Sequence, residues 1–144
     1  MLVETIPDYV AGKITPRPQP AEGVTYARKI AKEDGALDWS QPAYDLWNRV
    51  RAFTPWPGAF THLPEEPRPL LLKIWRGEVV EHACGSPGEI LSADSSSLVV
   101  ACGRDALRIL ELQREGGRRL GTREFLAGHP LQAGQRLVAK PAAS

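Results

Sequence analysis

The chain has 144 residues, of which 42% are hydrophobic and 24% charged, and its formal net charge is +1. This length suits one domain with an attached segment, and this composition excludes disorder as the state of the whole chain. No apolar run is long enough to span a bilayer, and the start MLVETIPDYV lacks the basic and apolar regions of a secretory signal. We therefore expect a cytoplasmic protein, without membrane contact, in which Cys84 and Cys102 are reduced thiols.

The N-terminal stretch LVETIPDYVA has apolar side chains at Leu2, Ile6 and Val10, a spacing that predicts a short helix ended by Gly12. A helix this short is marginally stable in isolation. We therefore interpret residues 1–12 as the remnant of the last helix of a preceding domain.

A proline-rich stretch follows this helix. Three prolines at alternate positions favour extended chain and exclude helix, which predicts a semi-rigid linker over residues 13–24. The domain itself is predicted to cover residues 25–138, and residues 139–144 are expected to be a disordered tail.

The predicted domain begins with VTYARKI, which has the alternation and residue types of a strand. Ser40 can cap a helix that runs to about Phe53. The apolar stripe of this helix has the spacing i, i+3, i+7 and i+10. It consists of Ala43, Leu46, Val50 and Phe53.

The helix is followed by the segment Pro-Trp-Pro-Gly, in which Pro55 and Pro57 prevent the helix from continuing. Gly58 permits the reversal into the next strand. Trp56 could stack on a base, but the pattern favours a corner with Trp56 buried between the helix and the following strands.

Short strand-like runs separated by turn signals fill the rest of the chain. They are residues 59–63, 70–80, 88–93, 97–102 and 106–113. Such spacing is typical of a small barrel. We predict a mainly β fold, an OB-like barrel of five to six strands with one long inserted helix and a short C-terminal helix. That last helix is predicted to be capped by Thr122 and ended by Gly128.

Charge is distributed unevenly along the chain, since residues 64–100 sum to −3 and residues 101–144 to +4. Basic side chains in three stretches are candidate donors to the phosphates of a polyanion. The candidate residues are Arg28, Lys29, Lys32, Arg49, Arg51, Arg118, Arg119 and Arg123. The alternative is that these side chains only solvate a helix face and strand edges.

No catalytic motif accompanies these basic residues. The histidines His62, His82 and His129 are not placed beside a suitable carboxylate or nucleophile, and the sequence holds no zinc pattern and no phosphate-binding glycine loop. The acidic residues before the helix, Asp34 among them, suit a solvated turn better than a general acid/base pair.

The stretch from Thr25 to Phe60 resembles the start of the C-terminal domain of the methionyl-tRNA formyltransferases. The family pattern T-Y-A-x-K-I falls on Thr25 to Ile30, L-D-W on Leu37 to Trp39, and R-A-F-x-P-W-P on Arg51 to Pro57. The later runs KIWRGEVV, PGEIL and LRILELQREGGRRLGTREFLAG also match it. The resemblance covers nearly the whole chain.

This resemblance implies a role in translation initiation. In that family a formyl group passes from 10-formyltetrahydrofolate to initiator methionyl-tRNA, and the chemistry belongs to an N-terminal catalytic domain that these residues do not match. The resemblance therefore implies a tRNA-binding C-terminal domain, inactive alone, without a bound cofactor or metal and monomeric. The alternative is a structural module of a related formyl-transferring enzyme without RNA binding.

Overall fold

A computed structural model describes residues 2–94 and 97–140, so residues 141–144 of the predicted tail lie outside it. Within these residues the chain forms three α-helices, a short 3₁₀ helix and six strands. The helices are α1 (Leu2–Val10), the 3₁₀ helix (Lys32–Gly35), α2 (Ala43–Ala52) and α3 (Thr122–Gly128). The strands are β1 (Ala59–Leu63), β2 (Leu70–Val80), β3 (Ile90–Ala93), β4 (Leu98–Ala101), β5 (Ala106–Arg114) and β6 (Leu120–Gly121).

The strands form one antiparallel sheet in the order β1-β2-β5-β4-β3, and β6 pairs with β5 as a hairpin. The mainly β prediction is confirmed, and β1 and β2 have the bounds predicted from the sequence. Their inward side chains join the buried core under α2.

The six strands do not close into a barrel by pairing with one another, so the barrel part of the prediction is not confirmed. Residues 134–138 instead bond to both outer strands. The Ile90 N–H donates to the Gln135 carbonyl at 2.8 Å, and the His62 N–H donates to the Val138 carbonyl at 2.8 Å. A short C-terminal segment therefore occupies the gap between β3 and β1.

Helix α2 is stabilised by the packing of its apolar stripe against the sheet. Ala43, Leu46 and Val50 are buried, as the spacing predicts, and α2 packs on β2. The predicted cap is wrong: the helix begins at Ala43, and the Ser40 hydroxyl donates to the Asp38 carboxylate at 2.7 Å. Asp38 holds Ser40 in a local turn instead.

Two other local predictions are also wrong. Residues 24–30 form no strand, because they pair with none of the strands of the sheet. Every residue from 9 to 33 is exposed. Thr122 does not cap α3, since its hydroxyl donates to the Ile109 carbonyl of β5 at 2.5 Å. The end of α3 at Gly128 agrees with the prediction.

The described residues include no helix with the length and apolar content needed to cross a membrane.

Candidate nucleic-acid interface

Four of the eight predicted phosphate donors lie around the 3₁₀ helix and the adjoining side of α2, and we call them the linker-side group. They are Arg28, Lys29, Lys32 and Arg49. The group is held together by Asp34: the Arg28 guanidinium pairs with its carboxylate, and Arg49 Nη1 donates to its carbonyl at 2.8 Å. Arg28, Arg49 and Phe53 line one shallow cavity of about 230 Å³.

The Arg28–Asp34 pair shifts the pKa of both groups in the direction that favours their charged forms. Hydrogen bonding from Arg28 lowers the pKa of the Asp34 carboxyl, and the same bond raises the pKa of Arg28. Asp34 is therefore ionised at neutral pH and offsets one positive charge. Lys29 and Lys32 are exposed and have no ion-pair partner among the described residues. Neither ammonium group has to leave a carboxylate of the described residues before it binds a phosphate.

Arg51 lies apart from the linker-side group, on the C-terminal turn of α2. Its guanidinium carbon lies 4.2 Å from the centroid of the Trp47 ring, and the ring centroids of Tyr44 and Trp47 are 5.6 Å apart. The spacing i, i+3, i+7 places these three side chains on one helix face. A cation resting on an aromatic face keeps its outward donors, so Arg51 remains able to meet an anion.

The remaining predicted donors lie on the β5–β6 hairpin and on α3, and we call them the hairpin group. They are Arg118, Arg119 and Arg123. Arg118 pairs with Glu124, and Arg119 pairs with Glu111 while its guanidinium lies 5.1 Å above the Trp75 ring. Two of these three cations are therefore paired with carboxylates, and Glu111 also pairs with Arg76 at 2.8 Å.

Sequence reasoning missed the carboxylates that neutralise these arginines. Arg28 and Asp34 are six residues apart, as are Arg118 and Glu124, a spacing that no regular helix or strand brings together. It also missed Trp75, whose indole N–H donates to Gln113 at 2.9 Å and so fixes the ring beneath Arg119. The contact between Trp75 and Gln113 depends on the register of β2 against β5, which the sequence alone does not predict.

Trp56 is 62% exposed, so the prediction of a buried plug is wrong. The chain does turn at this point, because the Gly58 N–H donates to the Phe53 carbonyl at 2.9 Å and Gly58 has a φ of 84°. The corner is closed instead by Phe53, which is half-buried, and by Ala59, which is fully buried. The ring of Trp56 projects from the outside of the corner.

Two of the three histidines have polar partners, and the carboxylate beside His129 was not predicted from the sequence. His129 pairs with Glu65 at 2.9 Å, and the His62 ring bonds to the Ala139 carbonyl at 3.1 Å. A cavity of about 700 Å³ contains His82 and both cysteines in its lining. Burial raises the pKa of the Cys102 thiol to about 12, which leaves it protonated and unreactive at neutral pH.

No group of three or more His, Cys, Asp or Glu side chains is arranged to hold a metal ion in residues 2–94 and 97–140.

Similarity to solved structures supports the fold. HypX from Aquifex aeolicus, in a multiply substituted variant, matches 88% of this chain with a TM-score of 0.57 and 20% identity, over 22% of its own length. HypX from the same organism in complex with tetrahydrofolic acid matches 87% of this chain with a TM-score of 0.55.

Sequence similarity to curated proteins is higher. The chain is 47% identical to the methionyl-tRNA formyltransferase of Ralstonia nicotianae over 90% of its own length and 39% of that protein. It is 45% identical to that of Aromatoleum aromaticum over 96% of its own length and 42% of that protein. The chain thus spans about two fifths of the length of these relatives. The model of the formyl transferase C-terminal domain matches residues 29–130, and the chain therefore belongs to the formyl transferase C-terminal domain family.

Proposed function

We propose that this chain is the tRNA-binding C-terminal domain of a methionyl-tRNA formyltransferase that works in the cytoplasm. The parent enzyme would transfer a formyl group from 10-formyltetrahydrofolate to initiator methionyl-tRNA, with the chemistry in an N-terminal catalytic domain. The proposal is supported by relatives of that name. The observation that carries RNA binding is the linker-side group, in which Lys29 and Lys32 are exposed cations without a paired carboxylate among the described residues.

Binding through this group would be electrostatic and largely independent of base sequence. Lysine and arginine bind backbone phosphates and release counterions, so the affinity falls linearly with salt on a log-log plot. The linker-side group has an advantage over the hairpin group, because Arg118 and Arg119 must leave Glu124 and Glu111 before they bind phosphate. We therefore assign the main phosphate contacts to the linker-side group, with Arg51 and the hairpin group as secondary contacts.

Fluorescence anisotropy with labelled initiator tRNA tests this assignment. The double substitution of Lys29 and Lys32 by Ala should weaken binding and reduce the salt slope by about two, roughly one unit per lost contact. The matched control, Ala at Arg68 and Lys73, removes the same charge from exposed positions elsewhere and should leave the slope near wild type. Equal effects of the two double variants would show that only net charge matters.

Asp34→Asn provides the opposite change. It removes the carboxylate that pairs with Arg28, so one more guanidinium becomes available and tRNA binding should tighten with a steeper salt slope. No binding of the unaltered chain at about 50 mM salt would overturn RNA binding itself.

A second candidate function, domain packing without RNA binding, is favoured by helix α1. Its apolar residues Leu2, Ile6 and Val10 are 73%, 54% and 78% exposed, and α1 buries none of its residues. An apolar helix face is normally covered by a partner. Capture of this chain by a separately expressed catalytic domain, lost when Leu2 and Ile6 become Ser, would support packing, and unchanged capture would count against it.

A further inference from the structure

The tryptophan at the corner between α2 and β1 leaves a large aromatic surface in water. Trp56 is 62% exposed, whereas Trp39 is only 4% exposed. Burial of an indole ring is among the largest contributions that one side chain can make to the stability of a fold. Tryptophan is enriched where proteins contact other molecules, so a ring that the fold leaves outside is a candidate contact.

The backbone around this ring is constrained. Pro55 and Pro57 fix φ on both sides of Trp56. The loop is closed by the bond from the Gly58 N–H to the Phe53 carbonyl at 2.9 Å, and the Thr54 hydroxyl donates to the Val50 carbonyl at 2.7 Å. A ring presented on such a loop loses little conformational freedom on binding, so its contact area contributes to affinity at low entropic cost.

The loop also lies against the linker-side group. A Cβ built on Gly35, the last residue of the 3₁₀ helix, would lie 2.1 Å from the Gly58 carbonyl oxygen, so the two segments touch there. At the other end of the loop, Phe53 lines a cavity together with Arg28 and Arg49. Trp56 is two residues from the first contact and three from the second, which limits its Cα to about 11 Å from either.

An exposed aromatic ring beside several cations indicates what kind of ligand fits. Single-stranded nucleic acids bind proteins through a basic surface that follows the backbone and aromatic side chains on which bases stack. Double-stranded RNA hides its base faces inside the helix and offers mainly phosphates and 2′-hydroxyls. A purely apolar protein partner would gain nothing from the neighbouring charges. The combination therefore favours an unpaired nucleotide.

We propose that an unpaired base of the bound RNA stacks on Trp56 while its flanking phosphates contact the linker-side group. This inference rests on the proposed RNA binding and adds to it a preference for a single-stranded segment. The class of ligand is an unpaired stretch of a folded RNA, read by the face of a base rather than by its hydrogen-bonding edge.

Two RNA probes of different structure test the proposal: an oligouridylate of about eight nucleotides and a blunt-ended RNA duplex. Trp56→Ala should weaken binding of the oligouridylate about 5- to 150-fold, the effect expected for one lost base–aromatic stack, and leave duplex affinity within about twofold. Trp56→Phe should restore most of the loss. Because the ring is exposed, both variants should fold, which the thermal midpoint of unfolding verifies.

Tryptophan fluorescence gives a second readout. At saturating concentration the oligouridylate should quench the emission of the unaltered chain, and this quenching should be clearly smaller in Trp56→Ala. The double substitution of Lys29 and Lys32 by Ala should lower the affinity for both RNA probes. Binding of both probes by the unaltered chain with no selective loss in Trp56→Ala would overturn the stacking proposal alone. Failure of the unaltered chain to bind either probe would overturn the proposed RNA binding as well.

Discussion

Replacing Thr61 by Val removes one buried hydroxyl while keeping almost the same side-chain volume. Thr61 is fully buried, and its Oγ1 accepts a bond of 2.9 Å from the indole N–H of Trp39, which is 4% exposed. The same hydroxyl donates to the Val138 carbonyl at 3.0 Å. One hydroxyl thus joins the segment before α2, strand β1 and the C-terminal segment.

The two partners of this hydroxyl would be affected unequally. The Val138 carbonyl also accepts the His62 N–H at 2.8 Å, so it keeps a partner in Thr61→Val. The Trp39 N–H would have none, and an unsatisfied buried donor costs about 1–3 kcal/mol. We expect Thr61→Val to lower the free energy of unfolding by that amount and the melting temperature by about 4–12 °C.

A double-mutant cycle in urea separates this cost from other effects. Trp39→Phe removes the donor, so adding Thr61→Val to that background should cost less by about 1–2 kcal/mol. Thr61→Ser keeps the hydroxyl and should lose about 1 kcal/mol at most for the missing methyl group. If Thr61→Val is as stable as wild type, or the cycle shows no coupling, the buried bond does not contribute as the geometry suggests.

Three further predictions concern packing, thiol reactivity and the pH dependence of stability. Gly35→Ala should lower the free energy of unfolding by about 1–3 kcal/mol in chemical denaturation, because its Cβ would meet the Gly58 carbonyl oxygen. The control Gly128→Ala, whose Cβ would have no atom within 4 Å, should be neutral or mildly stabilising. Similar costs at both positions would contradict the packing argument. Ellman's reagent should titrate exposed Cys84 alone in the native protein and both thiols after denaturation, and two rapid native equivalents would contradict the burial of Cys102. Since Cys102 has a folded pKa raised to about 12 from 9.0, its linkage predicts a loss of stability as the pH rises from 9 towards 12.

The elements with strong periodicity could be predicted from the sequence. Strands β1 and β2 alternate and are bounded by turn residues, and the stripe of Ala43, Leu46 and Val50 specifies which face of α2 is buried. Predictions that depended on one polar side chain were less successful. Ser40 and Thr122 each had a competing acceptor, in Asp38 and in the Ile109 carbonyl, and a cap pattern does not reveal such competition.

The candidate site was less predictable than the fold. The sequence identifies the cations, but whether a cation is available depends on carboxylates that tertiary packing brings to it, as with Glu111 beside Arg119. The side of the corner on which Trp56 emerges is a similar case. Its flanking prolines predict a break in the helix without indicating the direction of the ring, and the burial of Phe53 and Ala59 left Trp56 outside.

The segment at residues 134–138 has a consequence for the behaviour of the chain in concentrated solution. By bonding to Ile90 and His62 it occupies backbone groups on both outer strands of the sheet. Exposed strand edges are templates on which another copy can add its own strand. A chain that ended before Gln135 would uncover two such edges at once, so these few residues help to keep each molecule from joining its neighbours.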